Sequence, residues 1–175
     1  MNPEVQQIAL GLPAKYPYQF ERCRLGVDTT PGWAMIFAKL CDAVDQLLGE
    51  NKCGFSWDQV KEKWGAARFY FVLGDLAPDK RLDVQSPDRA ASLIVKPADE
   101  GQRSPEIQQL THKLRNLILE TEELTQRTCA VCGNPGELDR SKGLFLPLCA
   151  EHKATRKSEA ELGDIWISVH GGSLK

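Results

Sequence analysis

Cys129-Ala130-Val131-Cys132-Gly133-Asn134-Pro135-Gly136 and Leu148-Cys149-Ala150-Glu151-His152 carry two pairs of metal ligands, with sixteen residues between Cys132 and Cys149. A Cys-x-x-Cys pair closes a turn tight enough to aim two thiolates at one ion, and Cys149-x-x-His152 supplies the other two corners of a tetrahedron. Gly133, directly after the second thiolate, lets the backbone turn back with no Cβ in the way. Pro135-Gly136 and Ser141-Lys142-Gly143 are turn signals, and Leu144-Phe145-Leu146-Pro147-Leu148 reads as an apolar strand. Lys153 to Leu162 is rich in Ala, Glu, Lys and Arg, with no Pro or Gly before Gly163. A helix is expected there, with Cys149 and His152 at its first turn. Knuckle, hairpin and helix start, in that order, predict a treble-clef-like module holding one structural zinc ion through Cys129, Cys132, Cys149 and His152.

A closed site of three thiolates and an imidazole leaves no open coordination position, so its role is structural. A treble-clef nuclease needs a histidine in the hairpin between the two pairs, as general base and ligand to a second metal. Gly133 to Leu148 contains none. His112 and His170 lie outside that hairpin, and no nucleophile–base pattern surrounds them. Cys23, Cys41 and Cys53 match no ligand spacing. With the other thiolates assigned to zinc, a reducing compartment is expected and these three read as free thiols.

The 175 residues are 42% hydrophobic and 26% charged, which suits one modest globular core with an appended zinc module. The expected division is an α+β core over 1–126 and the zinc module with a C-terminal strand and tail over 127–175. No apolar run approaches the roughly twenty residues of a membrane span. Met1-Asn2-Pro3-Glu4 lacks a basic leader and the stretch after it is broken by Gln6, Gln7, Gly11 and Pro13, so a cytoplasmic protein without a secretory signal is expected. A net charge of −2 weighs against nucleic-acid binding by the whole chain. Arg127 to Lys157 is locally basic, with six Lys or Arg against three Asp or Glu. Lys153, Arg156 and Lys157 on the last helix could meet phosphates, or could form a solvated face offset by Glu151, Glu159 and Glu161.

Upstream the chain reads as helices packed on a small antiparallel sheet. Thr30-Pro31 is an N-cap and first-turn pair, and Trp33, Ile36, Phe37, Leu40, Val44, Leu47 and Leu48 fall on one helical stripe that stops at Gly49. Phe55 to Lys63 and Ala66 to Leu73 flank a Trp64-Gly65 turn and predict a β-hairpin. In its second strand Ala67, Phe69, Phe71 and Leu73 share one face, while Arg68 and Tyr70 take the other. Gly74 to Arg103 turns polar around a lone Leu93-Ile94-Val95, which predicts a long insertion with at most one short strand. Ser104-Pro105 then caps a long helix with Ile107, Leu110, Leu114, Leu117 and Ile118 on its buried stripe, running nearly to Thr128. A short strand at Ile165-Trp166-Ile167 and a loose end at Gly171-Gly172 follow. Trp33, Trp57 and Trp166 sit in apolar-patterned elements and are expected in or beside the core.

Pro31-Gly32-Trp33 opening a helix, Gln59-Val60-Lys61-Glu62-Lys63-Trp64-Gly65-Ala66-Ala67-Arg68-Phe69-Tyr70, Thr128 to Gly136, and Leu148 to His152 together resemble a family of small uncharacterised bacterial and prophage proteins. Its pattern is a Gly-Trp helix, a VKEKFGGLRFY hairpin and a CxxCGxPG…LCxxH zinc end. The chain departs from it at Trp64, where Phe is usual, at Ala66-Ala67, where Gly-Leu is usual, and in the 74–103 insertion. The resemblance implies no activity, and it places the chain in prophage-like company.

The hairpin is the other concentrated polar and aromatic feature. Lys61, Lys63, Trp64, Arg68 and Tyr70 could form a partner-binding surface, since aromatics and Arg dominate interface energetics. Cations on an exposed strand face also serve simply to block edge pairing. The function expected is therefore a non-enzymatic, zinc-stabilised protein-binding module that neutralises a toxin, as an immunity protein would, or modulates a phage or host factor. The alternative is a nucleic-acid-binding accessory protein using Lys153, Arg156 and Lys157. An enzyme would have only Glu62 and Arg68 to call on, with no reaction to assign them.

Overall fold

A computed structural model describes residues 3–23, 25–75, 79–85, 90–97, 101, 103–158 and 165–169. Helix α1 (Pro3–Lys15) ends where Pro17 disfavours helical backbone at Tyr16, and Pro17 then opens the single turn of α2 (Pro17–Phe20). Strand β1 (Val27–Thr29) leads into α3 (Pro31–Leu48), which stops at Gly49 with φ +61°, a conformation that suits glycine. Thr30 stands in extended backbone at the N-cap, yet its side chain makes no capping bond, and Pro31 carries the start instead. The hairpin β2 (Phe55–Lys63) and β3 (Ala66–Leu73) turns at Trp64-Gly65, as the sequence pattern predicts. Both turn residues have positive φ, +53° and +81°, the geometry whose twist matches the flanking strands.

The main sheet has the order β3-β2-β1-β8, where β8 is Ile167–Val169. It is mixed rather than antiparallel, since β1 and β2 run parallel. The physical reason is the connection: α3 crosses between them and returns the chain in its original direction. One face of the sheet carries an aromatic cluster. Phe37 of α3 stacks on Phe69 at 5.5 Å and lies 5.7 Å from Trp57, which meets Phe55 edge-on at 4.9 Å. Gln19 is fully buried there with its amide matched, donating to Cys41 O at 2.9 Å and accepting from the Trp57 indole at 3.1 Å. Trp33 and Trp57 are core residues, as expected; Trp166 is exposed.

The polar insertion is more ordered than its composition suggests. It forms a two-stranded hairpin, β4 (Lys80–Gln85) with β5 (Ala90–Val95), paired from Lys80↔Val95 to Gln85↔Ala90. Helix α4 (Pro105–Gln126) follows, capped by Ser104 Oγ, which accepts from the Ile107 N–H. α4 lies along the free edge of β3, where the N–H groups of Phe69 and Ala67 donate to Glu122 Oε1 (3.1 Å) and Thr125 Oγ1 (3.0 Å). Arg81 of β4 then reaches both oxygens of Glu122 at 2.7 Å, and Arg115 of α4 holds Asp79 at 2.6 Å through two nitrogens. Strand β6 (Glu137–Asp139), a 3-10 turn (Ser141–Gly143), β7 (Leu146–Leu148) and α5 (Ala150–Lys157) complete the described chain before β8. Cys129, Ala130, Leu146 and Leu148 belong to the same buried apolar cluster as Trp33 and Phe37, so packing runs unbroken across residue 127. The loose end expected at Gly171-Gly172 and the helix expected beyond Ser158 lie outside the described residues.

Candidate metal centre

The knuckle is built by its own backbone. Gly133 N–H donates to Cys129 O (2.9 Å) and Cys129 N–H to Asn134 O (2.7 Å), closing the Cys-x-x-Cys turn; Gly133 sits at φ +79°. The Arg127 carbonyl accepts from Gly136 N–H at 2.8 Å, which crosses the two ends of the turn. On the other side, β6 and β7 pair from Glu137↔Leu148 to Asp139↔Leu146 and deliver Cys149 to the N-cap of α5. His152 follows on the first turn of that helix.

The four predicted ligands meet. Their donor atoms lie within 4.8 Å of one another, and among the described residues no other group of three or more Cys, His, Asp or Glu gathers in this way. Cys132 Sγ and Cys149 Sγ are 3.8 Å apart, Cys129 Sγ and His152 Nδ1 3.7 Å, and Cys149 Sγ and His152 Nδ1 3.1 Å. A tetrahedral ion bonded to sulfur at about 2.3 Å and to nitrogen at about 2.0–2.1 Å needs edges of about 3.8 Å and 3.6 Å. Two of these three edges match, and the third is short by about 0.5 Å. The four donors are therefore close enough to hold one metal ion between them.

The thiols differ in their proton chemistry. The His152 backbone N–H donates to Cys149 sulfur and, with the His152 ring and the neighbouring sulfurs, lowers its pKa to about 7. Cys132 is exposed as a residue, yet desolvation of its sulfur pushes it up to about 11, against the Asn134 N–H, which favours the thiolate. Three thiolates around a divalent ion would carry a net negative charge, which the positive N-terminal end of the α5 dipole, starting directly after Cys149, would favour.

Comparisons with family models, with curated proteins and with solved structures find no match for this chain.

The other candidate residues separate. On the hairpin, Lys61, Lys63, Trp64 and Tyr70 are half-buried, with the Lys61 ammonium 5.5 Å from the Tyr70 ring and the Lys63 ammonium 4.8 Å from the Trp64 ring. Arg68 does not join them. It is 8% exposed and lies 3.7 Å from Glu122, so α4 and the insertion enclose it as part of the charged seam along β3. On α5, Arg156 is likewise withdrawn: 6% exposed, it donates to Asp139 Oδ2 (3.1 Å) and Leu144 O (2.6 Å), bracing the β6–β7 hairpin. The three-cation footprint expected for nucleic acid shrinks to Lys153 and Lys157. Glu62, the remaining polar candidate, accepts from the Gly65 N–H at 2.6 Å and so braces the turn; burial raises its pKa.

Cys23, Cys41 and Cys53 are free thiols, and burial raises the pKa of Cys23 and Cys41. His112 stands on α4 beside Asn116, 3.4 Å away. A shallow cleft lies between β3, α4 and the insertion, lined by Phe69, Phe71, Ile94, Ile118, Arg81 and Arg115 among others. Both guanidiniums there are matched to carboxylates, which makes the cleft a seam that fastens the insertion. Glu122 and Thr125 were missed as edge-covering residues, although they extend the Leu114-Ile118 stripe at helical spacing.

Proposed function

We propose that Cys129, Cys132, Cys149 and His152 hold one structural zinc ion in a treble-clef-like module, and that the chain is a non-enzymatic protein-binding module whose partner docks on the β2–β3 tip. The donor set supports zinc: soft thiolates with one imidazole in a closed tetrahedron suit Zn²⁺ and leave no position for substrate. Toxin neutralisation and modulation of a phage or host factor are the roles of this kind that fit a small acidic chain.

The observation that carries the partner reading is Trp64. It occupies a turn position at φ +53°, where Gly, Asn or Asp is ordinarily found, and its ring stays half-exposed beside Lys63. A bulky residue held in left-handed backbone costs of order 1 kcal/mol or more, and such a cost persists where function keeps the side chain. Trp64→Asn tests this: asparagine suits the turn, so stability should stay within about 1 kcal/mol of wild type. A partner captured by the zinc-loaded chain should bind the variant weaker by at least about 2 kcal/mol, the loss typical of a hot-spot aromatic. The opposite pattern is tight, salt-sensitive binding to nucleic acid that ignores Trp64→Asn and vanishes in a Lys153→Ala/Lys157→Ala chain; it would move the function to the alternative class. With two cations, that helix supports a log–log salt slope of only about −2. Elemental analysis of protein purified without chelator tests the metal, one zinc per chain being expected.

A further inference from the structure

We infer that Gly32, on α3 and remote in sequence from all four ligands, is a positioning residue for the metal centre. The inference rests on the metal reading above. A Cβ at Gly32 would stand 1.9 Å from Cys129 O, 2.7 Å from Ala130 C and 2.8 Å from Ala130 O. All three are backbone atoms, which cannot swing aside as a flexible side chain can. The approach is also bonded: Gly32 N–H donates to Ala130 O at 2.8 Å, and the neighbouring Trp33 indole N–H donates to Thr128 O at 2.9 Å. The carbonyls on either side of Cys129 are thus held by two successive residues of α3. The knuckle closes the contact from its own side, since a Cβ at Gly133 would meet Gly32 O at 3.2 Å.

Helix propensity gives the inference a sign. Glycine inside a helix is unfavourable relative to alanine, so Gly32→Ala would strengthen an isolated α3. In this fold it must instead push the knuckle off its seat, because overpacking against backbone forces that backbone to move. Ligand aim is what suffers when the Cys129 peptide shifts.

The experiment measures zinc release to a colorimetric chelator from wild type, Gly32→Ala and Gly11→Ala. Gly11 lies in α1 with nothing within 4 Å of its would-be Cβ, so it controls for propensity. Gly32→Ala should release zinc at least about tenfold faster than wild type, with Gly11→Ala unchanged. Release from Gly32→Ala at the wild-type rate overturns the inference. Should that variant not fold, amide exchange in the wild-type chain decides: stripping the zinc should unprotect the Gly32 N–H, and retained protection overturns the inference. A wild-type chain that takes up no zinc at all sinks the metal reading and this one together, whereas normal zinc uptake with an indifferent Gly32 sinks this one alone.

Discussion

Cys149 and Cys132 stand 3.8 Å apart and face opposite proton chemistry. The N–H of His152 draws Cys149 down to about 7, while desolvation of the sulfur itself, with the neighbouring Cys129 and Cys149 thiols, holds Cys132 at about 11. In chain stripped of metal, iodoacetamide near neutral pH should therefore label Cys149 ahead of Cys132, although Cys132 is the more exposed of the two. Site-mapped mass spectrometry checks the order, and equal labelling would show that the two thiols share one environment. The linkage has a sign as well. A thiol depressed from 9.0 to about 7 stabilises the stripped fold above pH 9, and that contribution is lost as pH falls through 7. The meeting of Cys129, Cys132, Cys149 and His152 was legible in the sequence because their spacing is local. The burial of Arg68 and Arg156 was not, because the carboxylates that match them come from other elements and a cation's sequence neighbours do not reveal its partner.

At the scale of elements, the joint between α4 and β3 bears the most charge. Glu122 accepts from the Phe69 N–H, pairs with Arg81 and lies beside Arg68, with its own side chain 4% exposed. Glu122→Ala should cost about 3–5 kcal/mol in thermal or denaturant unfolding, since it removes the carboxylate that faces two buried guanidiniums and accepts from an edge N–H. Glu122→Gln keeps an acceptor for that N–H and should cost less. A loss for Glu122→Ala under about 1 kcal/mol would mean the seam is solvated. The hairpin β2–β3 and helix α3 could be read from sequence because turn residues and apolar period agree there. Helix α1 could not, with Gly11 and Pro13 inside it, nor could β1, three residues long with an Asp at its centre. In the β4–β5 pair only β4 alternates, and Leu82, Val84, Leu93 and Val95 are 47–60% exposed, so no core marks it as a folded element.

On the scale of the molecule, the expected division at residue 127 meets a continuous core. Gly65 adds a second joint, since a Cβ there would stand 2.2 Å from Leu138 Cδ1 of the β6–β7 hairpin. Loosening of the C-terminal module alone, with the rest intact, is therefore not what metal loss should produce. Removing any metal held by the Cys/His cluster, or making Cys129→Ser, should lower the melting temperature of a single transition followed by both helix and tryptophan signals. Two separated transitions would show that the module melts independently. The sheet carries a different consequence. Its third strand, β1, lies between β2 and β8, bonded through Val27 to Val60 on one side and Val169 on the other. Asp28 and its partner Ser168 are 140 residues apart, a distance the ribosome covers in roughly 7–28 s at about 5–20 residues per second. For that interval the nascent chain carries one side of β1 bare, and the pace of translation, more than that of strand pairing, sets how long it stays open to a wrong neighbour.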